Sequence, residues 1–570
     1  MNALEGDNAR QVVIVSSLQD ECPDLASRNR AENRLVAAKN HQPNAHRPPV
    51  LILLPETLAI IFSFHADANP TNSGRDGVIP RGMTPEQFRL GWITVTHVCS
   101  LWRQVALDHR TLWTHHQFNL GLEWTTEMLR RAGDAPLNLT FSQQVVPFPP
   151  SKECAGEIIS RLLPRVSSLT IEEGAYDSAV LESLTVPAPL MSSLTITSSY
   201  LAVLPRSLFT DVAPKLRHLF LCNALPTWTT VALTCLKSLT ISIDRHMDTS
   251  GIPSYADLFN TLHAMPNLES LTLTNCLPLG PFPRSLAERK VRISKLQHLV
   301  LNGHVQGFRQ ILQHLDFPSE TAVHGTCLTD DITGKECCDV LPLLLSYLPR
   351  PSLQTLDVSW GNQFDRVFYI KGYSTLREEE NSRRPRFSLK DMQCFNVGFQ
   401  FKGLLWSTEQ KLRILKTVYG ALPTEELCIL SGKLDLGNEA WPEIFGGHQE
   451  LRHIRVCSLP TLRSLTPFLG RGGVYSKLVS LTLREMDLDR KQDAVALVNA
   501  LKTCKPPMLG KIFIETSRIS RDLVDSMRAA VPDIEIEWDE TELPGWFLAT
   551  QGAPRRMLNI VPSRLKRNGL

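Results

Sequence analysis

Nine short segments of one pattern, apolar-x-x-apolar-x-apolar, constrain this chain more than any other feature. They are VSSLTI (166–171), MSSLTI (191–196), LRHLFL (216–221), LKSLTI (236–241), LESLTL (268–273), LQHLVL (296–301), LQTLDV (353–358), LRHIRV (451–456) and LVSLTL (478–483). Weaker versions stand at CLTDDI (327–332), MQCFNV (392–397), LCIL (427–430), KIFIET (511–516) and DIEIEW (533–538). Some follow a break such as Pro214-Lys215-Leu216 or Pro266-Asn267-Leu268, and others follow helical stretches such as SYADLFNTLHAMP and KQDAVALVNALKTC. The alternation predicts strands in which Leu219 and Leu221, for example, point to the same side. Each such side chain contributes roughly 1.5–3 kcal/mol when buried. One unit cannot enclose its own apolar face, whereas a stack of units can. The fold class that follows is α/β, strand-and-helix units stacked over residues 161–545. The alternative is an ordinary α/β domain whose strands share leucine; a dozen similar strands at one period argue against it.

The fullest copy, Leu268-x-x-Leu271-x-Leu273-x-x-Cys276, resembles the strand signature of leucine-rich repeats, whose period is roughly 20–30 residues. The resemblance implies a leucine-rich-repeat solenoid, a curved parallel sheet with outer helices, that binds a protein target on its concave face. The residues flanking the buried leucines belong to that face. In the early repeats they are Ser168, Thr170, Ser193, Thr195, Ser238, Thr240, Ser270 and Thr272, a short and uncharged carpet. Later repeats place Asp357, His453, Arg455 and Arg484 there, with His298 between the two regions. Arginine offers planar, multi-donor contacts, so an acidic or phosphorylated target segment is expected on the C-terminal half. Alternatively, Arg455 and Arg484 pair with neighbouring acids. Between residues 360 and 450 the register is poorly marked, and the charged run 376–386 reads as an exposed loop.

Residues 54–113 carry a second pattern. On a helical wheel Leu58, Ile61 and Phe62 share a face, as do Val95, Val98, Trp102 and Val105. Pro55 occupies a first-turn position whose N–H lacks a helical partner anyway, and Glu56 suits the positive end of the helix dipole. Leu54-Pro55-Glu56, Ile61-Phe62, Val98-Cys99, Trp102-Arg103 and Leu112-Trp113 follow one another in the order found in an F-box. The stretch resembles that family, in particular the F-box-like proteins of basidiomycete fungi. It departs from the pattern in a loop-like insert, residues 65–90, rich in Gly, Pro and Asn. The resemblance implies that Leu54, Pro55, Leu58, Ile61, Phe62, Val98, Cys99, Trp102, Arg103, Leu112 and Trp113 form the docking site for a Skp-type adaptor. Through it they would join a cullin–RING ubiquitin ligase, with the repeats as the substrate receptor. By composition alone an apolar stripe with a tryptophan is core. A scaffold whose N-terminal helices merely cap the repeats is the other reading.

A chain of 570 residues with 43% apolar and 21% charged residues is globular and too long for one core. A net charge of +2 gives no general attraction to nucleic acid or anionic membrane. Thirteen cysteines without CxxC spacing read as reduced thiols of a cytoplasmic or nuclear protein. No phosphate-binding, hydrolase, zinc-protease or dinucleotide motif is complete, so neither an enzyme nor a cofactor is expected. Adjacent His115 and His116 point apart and make a poor metal site. The expected organisation is a disordered segment 1–48, helices in 49–115, a connecting cap 116–160, repeats 161–545 and a basic tail 546–570. That tail reads as solvated, with nuclear import as the other possibility.

Overall fold

The structure, a computed structural model, describes residues 53–71, 90–118, 120–141, 152–172, 178–228, 231–247, 251–331, 333–347 and, from 355 to 540, the elements named below. The expected N-terminal disorder, most of the 65–90 insert, the 376–386 loop and the basic tail lie outside the described residues. The chain forms two compact units, Met1–Gly251 and Ile252–Leu570.

The first unit opens with helix α1 (Pro55–Ala68), which runs past the expected start of the insert and buries Leu58, Ala59 and Phe62. A 3₁₀ segment (Gly91–His97) packs beside it. Gly91 has φ +54°, and a Cβ there would lie 2.3 Å from the Pro70 carbonyl oxygen, so only glycine fits. Helix α2 (Ser100–Asp108) and a 3₁₀ turn (Arg110–Trp113) complete the helical part. The sheet then begins, inside the segment expected to be a cap. Strand β1 (His115–His116) pairs in parallel with β2 (Leu137–Phe141) after helix α3 (Leu122–Ala132). Helix α4 (Lys152–Leu162) leads to β3 (Val166–Ile171), and helix α5 (Ser178–Glu182) leads to β4 (Ser193–Val203). Strands β5 (His218–Leu225) and β6 (Ser238–Ser242) follow.

All these pairings are parallel, and they hold the leucines in register. Leu139, Leu169, Leu194, Leu219 and Leu239 form one ladder, and Phe141, Ile171, Ile196, Leu221 and Ile241 form the next. Every member of both ladders is buried, which is the enclosure a single repeat could not achieve.

The second unit repeats the scheme with longer helices. Helix α6 (Tyr255–His263), capped by Ser254, precedes β7 (Ser270–Thr274). A short parallel pair, β8 (Val291–Arg292) with β10 (Leu315–Asp316), flanks β9 (His298–His304) and helix α7 (Val305–His314). Strand β11 is Ala322–Thr329, which starts before the expected CLTDDI and shares only its first three residues, and helix α8 is Lys335–Ser346. Gly325 of β11 stands where a ladder leucine would; Phe308 of α7 comes within 2.9 Å of the place a Cβ would take.

Next comes a departure from the repeat. Strands β12 (Thr355–Trp360), β13 (Val367–Tyr373) and β14 (Gln393–Phe401) form an antiparallel meander laid down in reverse, with β14 beside β11. The next helix, α9 (Thr408–Ala421), precedes β15 (Ile429–Gly432), which pairs with β12. Parallel order resumes through β16 (His453–Val456), helix α10 (Leu459–Leu469), β17 (Ser480–Arg484), helix α11 (Lys491–Thr503), β18 (Lys511–Glu515), helix α12 (Arg521–Ala530) and β19 (Glu535–Trp538). Each unit is thus a leucine-rich-repeat-like α/β stack.

A recurring corner completes the repeat. Asn223, Asn275, Glu485, Thr516 and Glu540 each follow an inward-facing strand residue by two positions, and each has φ between 45° and 55°. This left-handed residue turns the chain out of the sheet. No helix among the described residues is long and apolar enough to cross a membrane.

Candidate functional site

Among the described residues, the N-terminal helices hold the largest group of exposed apolar side chains on neighbouring elements. Helix α1 has more apolar residues than one stripe can bury. With Leu58 and Phe62 turned inward, Leu54 (68% exposed), Ile60 (58%), Ile61 (44%) and Phe64 (71%) remain outside. The wheel placed Ile61 with the buried pair; the helix instead turns it to solvent. The second wheel fails for a clearer reason. Cys99 is extended (φ −158°, ψ 171°), so the chain restarts at α2, with the Cys99 Sγ accepting the Trp102 N–H at 3.5 Å. Val98, at that break, is left 60% exposed, whereas Val95 and Val105 are buried.

The eleven motif residues therefore divide by role. Leu54, Pro55, Ile61, Val98 and Arg103 face outward. The Arg103 Nε–H donates to the Thr96 carbonyl at 2.7 Å. Cys99 and Trp102 are half-buried, and the Trp102 ring lies 5.1 Å from Phe62. Leu58, Phe62, Leu112 and Trp113 are interior. The Trp113 Nε1–H donates to the Ala106 carbonyl at 2.8 Å; Trp92 meets its ring edge-on at 4.8 Å, and the Arg131 guanidinium lies 4.3 Å over it. An open cleft of ≈ 360 Å³ lies among His65, Thr94, Val95, His97, Val98 and Trp102. Ile60 and Phe64 belong to the exposed group although no motif marks them. Their spacing of four on an apolar helix was the available signal.

The expected target face fares differently. In the first unit the Ser and Thr positions are half-buried, as their alternation requires, but Phe220 interrupts them, in register with Thr195 and Thr240. In the second unit Asp357 (8% exposed) and Arg455 (5%) are buried, as are Ser480 and Thr482, the register partners of His453 and Arg455. A target therefore cannot reach Asp357 or Arg455 directly. Alternation fixes the side of the sheet a residue takes; it says nothing about what covers that side. His453 is half-buried, its Nδ1 2.8 Å from the Ser480 Oγ. Arg484 sits 3.6 Å from its neighbour Glu485, the pairing foreseen as the alternative.

The adjacent histidines do point apart. His115 Nε2 lies 2.9 Å from Asn138 Nδ2, while His116 is buried with its Nε2 unpartnered. Burial, with the nearby charges of His115 and Arg165, lowers His116 to about 4.

No family model matches the chain, and no curated protein matches it. Among solved structures it is similar to a leucine-rich-repeat protein of Leptospira interrogans, at 13% identity and a TM-score of 0.19, over 71% of this chain and 83% of that one. So low a TM-score carries no argument; the repeat fold rests on the strand ladders.

Proposed function

We propose that the outward face of α1 and the Val98 break docks a Skp-type adaptor, and that the repeat units select a protein target for a cullin–RING ubiquitin ligase. One observation supports the reading. Leu54, Ile60, Ile61, Phe64 and Val98 stay exposed on or beside helices that bury Leu58, Phe62 and Val105, and exposed apolar patches mark interaction surfaces. Three of the five lie in the ordered motifs that resemble an F-box. The test is capture of a purified Skp-type adaptor by the full chain, compared with Ile61→Asp plus Val98→Asp. Both positions are exposed, so the variant keeps its fold while a charge enters the apolar contact. The expected result is capture by wild type and none by the variant. Wild type that ignores the adaptor overturns the ligase reading.

A second reading has its own observation. Leu112 and Trp113 are packed inside, and Trp113 touches Arg131 of α3, which leads into the first strands. On that reading the helices cap the stack, and the chain is a binding scaffold.

A further inference from the structure

On the helical side of the second unit, the first turns of α6, α7 and α8 border a cavity of ≈ 530 Å³, within the range of small-molecule sites. Tyr255 begins α6, Val305 begins α7 and Lys335 begins α8, so three helix N-termini bring their partial positive charge to one place. The helix ends alone would not make a site; the side chains do. Tyr255 is only 3% exposed and lines the cavity, and among the described residues no group hydrogen-bonds its hydroxyl. Its ring meets Phe282 edge-on at 5.0 Å, giving the cavity an aromatic wall.

The remaining polar groups decide the ligand's chemistry. Asp331 already accepts from the Thr333 N–H and hydroxyl and from the Glu336 N–H. Glu336 accepts from Gln306 and Thr329. By contrast, the exposed Lys335 ammonium has no ion-pair or hydrogen-bond partner among the described residues, only its backbone N–H being held, by the Thr333 hydroxyl. Arg309 gives Asp339 a single contact at 3.4 Å, and its buried Nε has none. The unfilled capacity lies mainly in donors, which calls for an acceptor. Two cations against Asp331, Glu336 and Asp339 leave the wall at a formal −1, a balance that suits one anionic group and not a chain of them.

We propose that this cavity binds a small molecule carrying one anionic oxygen group, a carboxylate or a phosphate monoester, on an aromatic body. The oxygens sit between Lys335 and Arg309 and accept from the Tyr255 hydroxyl, and the ring lies against Phe282. The site is independent of the N-terminal face and of the adaptor reading.

The test is calorimetric titration of the full chain with 3-phenylpropionate, phenyl phosphate and the neutral 3-phenylpropionamide. At least one anion should bind saturably at one site, and the amide at least about tenfold more weakly, since it lacks the charge-assisted bonds. Lys335→Met should weaken the anion by about tenfold, and Tyr255→Phe by several-fold, because each removes one donor to a charged group. Lys295→Met, on the same unit outside the cavity, should change nothing. The better anion identifies which group the site favours. Both probe variants are mild: Lys335 is exposed, and phenylalanine keeps the Tyr255 ring. The proposal is overturned if neither anion saturates, if the amide binds as well, or if Lys335→Met and Tyr255→Phe both bind like wild type. It is equally overturned if a phosphoserine peptide saturates the site while both small anions fail.

Discussion

Asn223 ties three successive repeats together, and its removal should be felt across all of them. It is buried at a left-handed corner with φ 52°. Its Nδ2 donates to the Ser198 carbonyl of β4 at 2.9 Å and to the Asp244 carboxylate beyond β6, also at 2.9 Å. Its Oδ1 accepts the Asp244 N–H at 2.8 Å. Asn223→Ala strands a carbonyl and an N–H, at about 1–3 kcal/mol each where water cannot replace the side chain. The Asp244 carboxylate is exposed and rehydrates, so its share is small. Alanine at positive φ adds about 1–2 kcal/mol. The sum is roughly 4 kcal/mol for Ala and roughly 3 for Asn223→Gly, which escapes the backbone term. A chain of two units need not unfold in one step, so the assay is hydrogen exchange by mass spectrometry on peptides covering β4–β6. Protection there should fall by about a thousandfold for Ala and about a hundredfold for Gly, with α12 and β19 unaffected. Loss of less than about tenfold in Ala would refute the clamp. Equal loss in Ala and Gly would refute the strain term.

Thr516 is a β-branched residue at φ 45°, so Thr516→Asn should stabilise the second unit by about 1 kcal/mol, read as slower exchange in β18. Gly325→Ala sets a Cβ 2.0 Å from the Leu301 carbonyl oxygen, and about 3 kcal/mol should be lost from the second unit in urea melts; a neutral result would mean β9 and β11 part freely. His116 has its pKa lowered to about 4 by burial, so below pH 6.5 the unfolded chain takes up a proton the folded one refuses. Stability of the first unit should fall by about 2 kcal/mol from pH 7 to pH 5 on this account, and the decline should level off below pH 4. His116→Gln should flatten that slope, whatever it does to the stability at pH 7, and an unchanged slope would remove His116 as its source.

Much of the fold was legible because the ladders are made of the residues that mark them. Within each unit the hexapeptides, 166–241 in the first and 268–301 in the second, are strands in the expected parallel register. The pattern failed where a neighbour replaced a ladder side chain. In β11 Phe308 fills the space beside Gly325, so the strand lacks its leucine and the eye slides to the next apolar pair. It failed again at β12–β14, because apolar alternation looks the same in an antiparallel meander and in a parallel repeat. The reverse order of those strands depends on long-range pairing, which no local spacing encodes. The site was half legible for a related reason. Leu58 and Phe62 went inward as the period demands, but the extended Cys99 reset the phase and sent Val98 outward.

That reset bears on how the N-terminal stretch can serve two demands at once. A small helical unit must bury some of its apolar residues merely to stand, and Phe62, Trp92 and Trp113 do so through ring contacts with Trp102 and with each other. An interface needs the opposite: apolar groups held rigid in water. Ile60, Ile61 and Phe64 are exposed on the same helix that buries Leu58 and Phe62, so folding itself fixes their positions. A partner that covers them gains their burial, roughly 1.5–3 kcal/mol per fully buried side chain, without ordering the backbone that carries them. Truncating the buried set should therefore loosen the unit and the docking together, whereas charging Ile61 and Val98 should abolish docking alone. The difference between those two outcomes separates an interface from a cap.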